Sequence, residues 1–159
     1  RMFGLGMAPY VWSKFRVLAE LALVQVLLLQ MAIEWSINVQ GWFLLHTVTL
    51  WLSTLCGVGL GLVVSALAKR QERAVGAIPL LILPQILFSE VAIPKDLFSD
   101  VVATVEKFMP VHWAHRIFVE LAEVEVGWMK VLGSWGILIV MTGVFFGLTV
   151  LILLKKREF

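Results

Sequence analysis

The chain of 159 residues is 60% hydrophobic and only 15% charged, and its formal net charge is +2 at pH 7. Soluble domains are about 45–50% apolar and about 25% charged, so this composition excludes an ordinary soluble fold. The small net charge also gives no sign of a nucleic-acid partner. Cys56 is the only cysteine, which excludes an intrachain disulfide.

Four stretches reach the length of about 20 mainly apolar residues that a membrane-spanning helix needs. They are residues 15–35, 43–68, 74–93 and 133–154. The first also contains Arg16 and Glu20, which are four residues apart and can pair on one helix face. The third contains Pro79 and Pro84, which remove backbone donors and predict helix kinks. Such a kinked helix can line a pathway, or the kinks can simply be tolerated, because proline is common in membrane helices.

The long segment 94–131 predicts an external loop that carries two short interfacial or re-entrant helices, separated at Pro110. Basic residues are concentrated outside this loop, at 1–16, 69–73 and 155–157. By the positive-inside rule, we expect both termini in the cytoplasm and a multi-pass protein of the plasma (cytoplasmic or inner) membrane. The fold class is therefore an all-α membrane protein with four transmembrane helices in a single domain, residues 1–159.

Small residues recur at helical spacing within two of the spans. Gly57 and Gly61 form one such pair, and Gly143 and Gly147 form another. These pairs allow helices to approach closely, either within the chain or in a dimer. Glu90 lies near the outer end of the third span, where an acid could gate an exit, bind a cation or take up a proton, or could simply meet water.

Catalytic and metal sites are not predicted. His112 and His115, followed by Glu120 and Glu123, match no established metal-ligand spacing. The sequence shows no arrangement of a nucleophile with a base. We therefore expect the chain not to be an enzyme and to hold no metal or other cofactor of its own.

One stretch carries more specific information than hydropathy. Ser65-Ala66 precedes the short polar segment 67–73, and a helix follows that ends in Phe88-Ser89-Glu90 with Pro94 close behind. Met109-Pro110-Val111-His112-Trp113 then lies in the long loop. This order and spacing resembles the transmembrane domain of G-type ABC exporters and their bacterial type-2 relatives, and the resemblance covers nearly the whole chain. The sequence departs from the pattern at Glu90, where these exporters commonly have glycine.

The resemblance implies that the four spans correspond to helices three to six of a six-helix permease. It implies a partner ATP-binding cassette domain, fused or separate, that carries ATP and Mg²⁺, and a second permease copy in a homodimer. Residues 1–14 would form the loop that couples to the ATPase, with contacts from Met2, Phe3, Gly4, Leu5 and Tyr10. The substrate pathway would be lined by Leu83, Ile86, Phe88, Glu90, Val91 and Ala92.

The predicted function is thus the membrane-spanning part of an ATP-driven exporter that moves a lipid or drug-like amphipath by alternating access. One alternative is a membrane anchor or assembly subunit that transports nothing. A second alternative is a haem- or quinone-binding redox subunit that uses His46, His112 and His115.

Overall fold

The computed structural model describes residues 6–37, 43–68, 71–87, 100–123 and 125–157. Within these ranges the regular secondary structure is helical, with no strand. The helices are α1 (Met7–Ile37), α2 (Phe43–Leu67), α3 (Gln71–Leu87), α4 (Asp100–Glu106), α5 (Pro110–Ala122) and α6 (Trp128–Arg157). Three of them, α1, α2 and α6, are long and apolar enough to cross a membrane. The chain is therefore an all-helical, multi-pass membrane protein.

The predicted spans match the helices better at their centres than at their ends. Helix α2 agrees with the predicted span closely, but α1 begins at Met7 rather than near residue 15. Residues 7–14, predicted as part of the coupling loop, are therefore helical. Met7 and Ala8 are good helix formers, and Pro9 lies in the first turn, where its missing N–H is not needed. Hydropathy marks the part of a helix at lipid depth and does not mark where the helix starts.

Helix α3 is continuous over 17 residues although Pro79 and Pro84 lie inside it. The two prolines cannot donate to the carbonyls of Val75 and Leu80, which lose their usual intrahelical partners. The described helix is shorter than the length that a span requires, and residues 88–93 of the predicted span lie outside the described residues. The existence of a fourth span stays a prediction.

The segment that was predicted as an external loop contains the short helices α4 and α5, which form a unit that we call the hairpin (residues 100–122). Pro110 occupies the first position of α5, where proline is favoured because no N–H is needed there. The indole Nε1 of Trp113 donates to the Lys107 carbonyl at 2.8 Å. Across the same turn, His112 Nδ1 lies 2.8 Å from Glu106 Oε1, with both side chains buried. These contacts hold α4 against α5.

Helix α2 lies at the centre of the bundle and packs against α1, α3, α5 and, most extensively, α6. Two tryptophans fix its neighbours. Trp51 Nε1 donates to the Ala19 carbonyl of α1 at 3.3 Å. Trp135 Nε1 of α6 donates to the buried Thr49 Oγ1 at 3.0 Å. Buried indole N–H groups require such partners, so each bond sets how one helix lies on α2.

The two ends of the bundle differ in character. At one end, Trp12 and Phe15 of α1 pack edge-to-face against Phe146 of α6, and Lys156 Nζ contacts the Ala66 carbonyl at the end of α2. We call this the basic end. At the opposite end, which we call the hairpin end, Ile117 and Leu121 of α5 form a core cluster with residues of α6. The start of α1 and the end of α6 thus lie at the same end of the bundle, which is the arrangement that the predicted four-span topology requires.

Close backbone approach between α2 and α6 occurs at Gly59. A Cβ atom added there would lie 3.1 Å from Phe145 Cβ, whereas Gly57, Gly61, Gly143 and Gly147 have nothing within 4 Å of an added Cβ. Of the two alternatives for the glycine pairs, close approach within the chain is therefore not seen among the described residues, and approach between two copies stays a prediction. Glycine at position 59, between the first pair, allows the close approach within the chain instead.

The hydrogen bond between Trp135 and Thr49 should contribute modestly to stability. We expect Trp135→Phe and Thr49→Val to show a coupling free energy of about 0.6 kcal/mol and at most about 1.7 kcal/mol in a double-mutant cycle, the range for polar contacts between membrane helices. Reversible unfolding in bicelles measures it. Thr54→Val is the matched control, because the Thr54 hydroxyl donates only to the Leu50 carbonyl of its own helix. Combined with Trp135→Phe, the control should be additive, and a coupling as large as that of Thr49 would contradict the assignment.

Candidate functional site

A groove of about 530 Å³ lies between α2 and α3. Helix α2 contributes Gly57, Leu60, Gly61, Val64 and Ser65. Helix α3 contributes Ala74, Val75, Ile78, Leu81, Ile82 and Gln85. The walls are therefore almost entirely apolar, and the volume lies in the range of about 300–1,000 Å³ that is typical of small-molecule sites.

The groove exists because two positions on α2 lack side chains. Gly57 and Gly61 are four residues apart, so they lie on the same helix face. An added Cβ at either position would meet nothing within 4 Å. Opposite them, Ile78 and Ile82 of α3 are about half exposed. Because the two glycines have no side chains, α2 does not fill the space between its backbone and α3. An apolar space therefore remains between the helices.

A second pocket, of about 240 Å³, continues the groove toward the hairpin end. It shares Gly57 and Gln85 with the groove. Its other lining residues are Ser53 of α2 and Pro110, Val111, Ala114, His115 and Phe118 of α5. Because Ser53 lies ten residues after the start of α2, the hairpin reaches about 15 Å along that helix, at 1.5 Å per residue. The groove and this pocket therefore adjoin each other along α2. We call the second space the polar pocket and the two spaces together the path.

The polar pocket contains hydrogen-bonding groups that the groove largely lacks. Ser53 Oγ donates to the Thr49 carbonyl at 2.8 Å, and its oxygen can still accept a bond. Gln85 Nε2 donates to the Leu81 carbonyl at 3.2 Å, and the amide carries a further N–H and a carbonyl oxygen. His115 adds an imidazole to the lining. The described lining residues of this pocket and of the groove carry no carboxylate, lysine or arginine.

The charged side chains of the hairpin are paired away from this path. Besides the Glu106–His112 contact, the buried Glu120 lies 2.9 Å from Lys130 Nζ across the turn into α6. A Cβ on Gly127 would lie 2.8 Å from Glu120 Oε2, so a larger residue there would displace this carboxylate from its present position. Buried charges are tolerated when they are paired in this way. The two pairs therefore fix α5 relative to α4 and α6.

These pairs also bear on the metal and redox alternatives. His112 and Glu120 belong to separate pairs, and the part of the chain that the structure describes contains no group of three His, Cys, Asp or Glu residues that could hold a metal ion. The His46 ring packs on Phe118, with 5.4 Å between the ring centroids. The geometry therefore gives no support to a haem held between His46 and the loop histidines.

The predicted pathway residues are only partly placed by the structure. Leu83 and Ile86 are about half exposed and lie outside the lining of the groove and the polar pocket. The other predicted pathway positions, Phe88, Glu90, Val91 and Ala92, lie outside the described residues. Of the predicted coupling residues, Tyr10 lies at the basic end, where Lys14 Nζ is 4.8 Å from its ring centroid. Met2, Phe3, Gly4 and Leu5 also lie outside the described residues.

Several lining residues were not predicted as site residues. Ser53, Ile78 and Ile82 carry no distinctive sequence pattern, and His115 was considered only as a metal or haem ligand. The available signal was the Gly57–Gly61 spacing, which indicated a bare helix face. It was interpreted as a packing surface, although a bare face can equally border a cavity.

Comparison with known proteins agrees with this architecture. The family described as ABC-2 type transporter (ABC2_membrane) matches residues 1–122, which covers well over half of the chain. Searches against curated proteins and against solved structures gave no match. The matched region includes α1 to α5 and thus both the groove and the polar pocket. The chain belongs to the ABC-2 type transporter family and is a membrane-spanning permease component of an ABC-type transporter.

Proposed function

We propose that the chain is the permease part of an ATP-driven exporter that moves hydrophobic or amphipathic molecules by alternating access. The observation that carries this proposal is the path formed by the adjoining groove and polar pocket. Its apolar walls suit lipids and amphipathic drugs better than sugars, because burying unpaired polar groups costs free energy. The path runs from near the basic end, at Ser65, to the hairpin.

The basic end is the proposed cytoplasmic side. Lys14 and Arg16 lie at the start of α1, and Lys155 and Lys156 lie at the end of α6. This concentration of positive charge is typical of cytoplasmic flanks. The segment containing Met2, Phe3, Gly4, Leu5 and Tyr10 would contact the ATP-binding cassette partner, which binds ATP and Mg²⁺. When ATP binding closes that partner, the motion would be transmitted to α1. The groove would then switch from an inward-facing to an outward-facing state.

Further transmembrane partners are supported by the outer face of α1. Arg16 Nε and Glu20 Oε1 form the expected pair at 2.8 Å, but both side chains remain exposed, as does Gln25 in the apolar part of the helix. Polar side chains at membrane depth are costly beside lipid. We propose that partner helices cover this face, and that a second permease copy faces Leu83 and Ile86 of α3 across a central cavity. Membrane lipid would cover the remaining apolar surface.

ATP-dependent transport is the direct test of the proposed function. The complete polypeptide with its ATPase partner, reconstituted in proteoliposomes, should move a fluorescent amphipath in the presence of ATP. The movement should stop when the ATPase is replaced by a variant that binds but cannot hydrolyse ATP. ATPase activity that is insensitive to every lipid or amphipath, together with absent transport, would contradict the proposal.

The anchor alternative makes a different prediction in the same assay. Leu83→Trp would fill the proposed central cavity, and Glu90→Ala would remove the acid from the proposed exit. Transport should fall in these variants if they line the pathway. Wild-type rates in both variants would favour a subunit that only anchors or assembles its partners.

A further inference from the structure

The polar pocket differs chemically from the groove that leads to it. In the groove, the lining residues of α2 have no polar side chain from Gly57 to Val64, a distance of about 10 Å at 1.5 Å per residue, with Ser65 at the basic end. At the hairpin end, Ser53, Gln85 and His115 meet in the smaller pocket. A molecule that fills both spaces therefore needs an apolar body and a hydrogen-bonding end.

The polar pocket can match both hydrogen-bond donors and acceptors. The Ser53 oxygen can accept while its hydrogen is directed to Thr49, and the Gln85 amide has both a donor and an acceptor available by its chemistry. A hydroxyl group is likewise both donor and acceptor. Its two functions can thus be satisfied here at the same time, which is the condition for burying a polar group without a large penalty.

The polar pocket provides poor partners for a charged headgroup. Its described lining residues offer no carboxylate, lysine or arginine. The two buried carboxylates of the hairpin have partners away from the pocket: Glu120 contacts Lys130 and Glu106 contacts His112. Moving a phosphate, carboxylate or ammonium from water into such a site without a counter-ion is strongly unfavourable. While the His115 imidazole is neutral, the site therefore selects against charged and zwitterionic headgroups.

We propose that the polar pocket binds the uncharged, hydroxyl-bearing head of an amphipath whose hydrocarbon body lies in the groove between Gly61 and Ile82. The head points toward the hairpin end and the chain toward the basic end. The inference rests on the proposed function, because it takes the groove as part of the substrate path. It goes further by specifying the headgroup class and the orientation of the bound molecule.

Photo-crosslinking of the complete polypeptide with its ATPase partner in nanodiscs tests the proposal. The probe is a monoacylglycerol that carries a diazirine in its acyl chain, and the competitors share one oleoyl chain: monooleoylglycerol, oleate and oleoyl lysophosphatidylcholine. Monooleoylglycerol should compete at least about tenfold better than the two charged lipids, because the pocket lacks counter-ions. Crosslinks should fall on groove residues.

Two variants test the hydrogen bonds. Ser53→Ala and Gln85→Leu should each weaken binding of monooleoylglycerol about three- to tenfold, the effect of one hydrogen bond, and should reduce the preference over oleate. The control is Thr54→Val, which removes the neighbouring hydroxyl outside the pocket. This variant should bind like the wild-type protein.

The outcomes separate this inference from the proposed function. Equal competition by all three lipids, or stronger competition by a charged one, would overturn the headgroup assignment even if ATP-driven transport is observed. A preference for monooleoylglycerol that depends on Gln85, found in a protein that shows no transport, would support the pocket and overturn the exporter function. Unchanged binding in both pocket variants would also overturn the assignment.

Discussion

Replacing Gly61 with leucine should weaken binding of an amphipathic substrate about 100-fold and should suppress ATP-driven transport to a similar extent. An added Cβ at this position has no protein atom within 4 Å, so the new side chain would occupy the groove rather than displace a helix. It would take the place of three or four methylene groups of the substrate. Each buried methylene contributes about 0.8 kcal/mol, and 1.4 kcal/mol corresponds to a factor of ten in affinity.

The measurement is binding and transport by Gly61→Leu and Gly57→Leu in the reconstituted complex. Gly143→Leu is the matched control, because Gly143 is also helical and open but lies on α6, outside the groove. All three variants should remain folded, because leucine has the higher helix propensity. Undiminished transport in Gly57→Leu and Gly61→Leu, at normal expression, would show that the substrate does not use this groove.

Gly59→Leu should instead destabilise the fold, by about 1–3 kcal/mol or more. The added Cβ would lie 3.1 Å from Phe145 Cβ and 3.7 Å from the Thr142 carbonyl oxygen. The rest of the leucine side chain has no space at this contact, so α2 and α6 would have to move apart. Overpacking of this kind typically costs about 1–3 kcal/mol. Because α6 is the most extensive neighbour of α2, the loss should affect the whole bundle.

A graded series at position 59 makes this prediction quantitative. Gly59→Ala should cost little, because a shift of a few tenths of an ångström accommodates one methyl group, and Gly59→Leu should cost much more. Unfolding in bicelles and the yield of monodisperse protein report the effect. Gly57→Leu, the matched control, should be as stable as the wild-type protein. Equal stability of Gly59→Ala, Gly59→Leu and Gly57→Leu would contradict the close contact between α2 and α6.

The helical membrane fold could be predicted because its main determinant is local. A long uncharged segment such as residues 43–67 can be identified as a membrane-spanning helix from its own composition, without knowledge of its neighbours. Helix ends are less visible in the sequence. The resemblance places residues 7–14 in the coupling loop, yet they continue α1, since helix formation depends on propensity and capping as well as on hydropathy.

The candidate site was harder to predict because it depends on which faces meet. Gly57 and Gly61 were recognised as a bare face, but the sequence does not specify whether a neighbouring helix fills that face or leaves it open. The answer depends on the course of α3 and on the depth of α5, which brings His115 close to Ser53 although 62 residues separate them in the chain. Such a meeting is a property of the whole bundle, and no local pattern encodes it.

The contact of Lys156 with the end of α2 has a consequence for the order of biosynthesis. Its ammonium group lies at the carbonyls of Ala66, Leu67 and Ala68, which the helix itself leaves unbonded. Helix α2 leaves the ribosome long before Lys156 is translated, so these carbonyls must rely on water or headgroups until α6 has been inserted. The mouth of the groove at Ser65 is therefore completed only after α6 has been made, roughly 90 residues later in the chain.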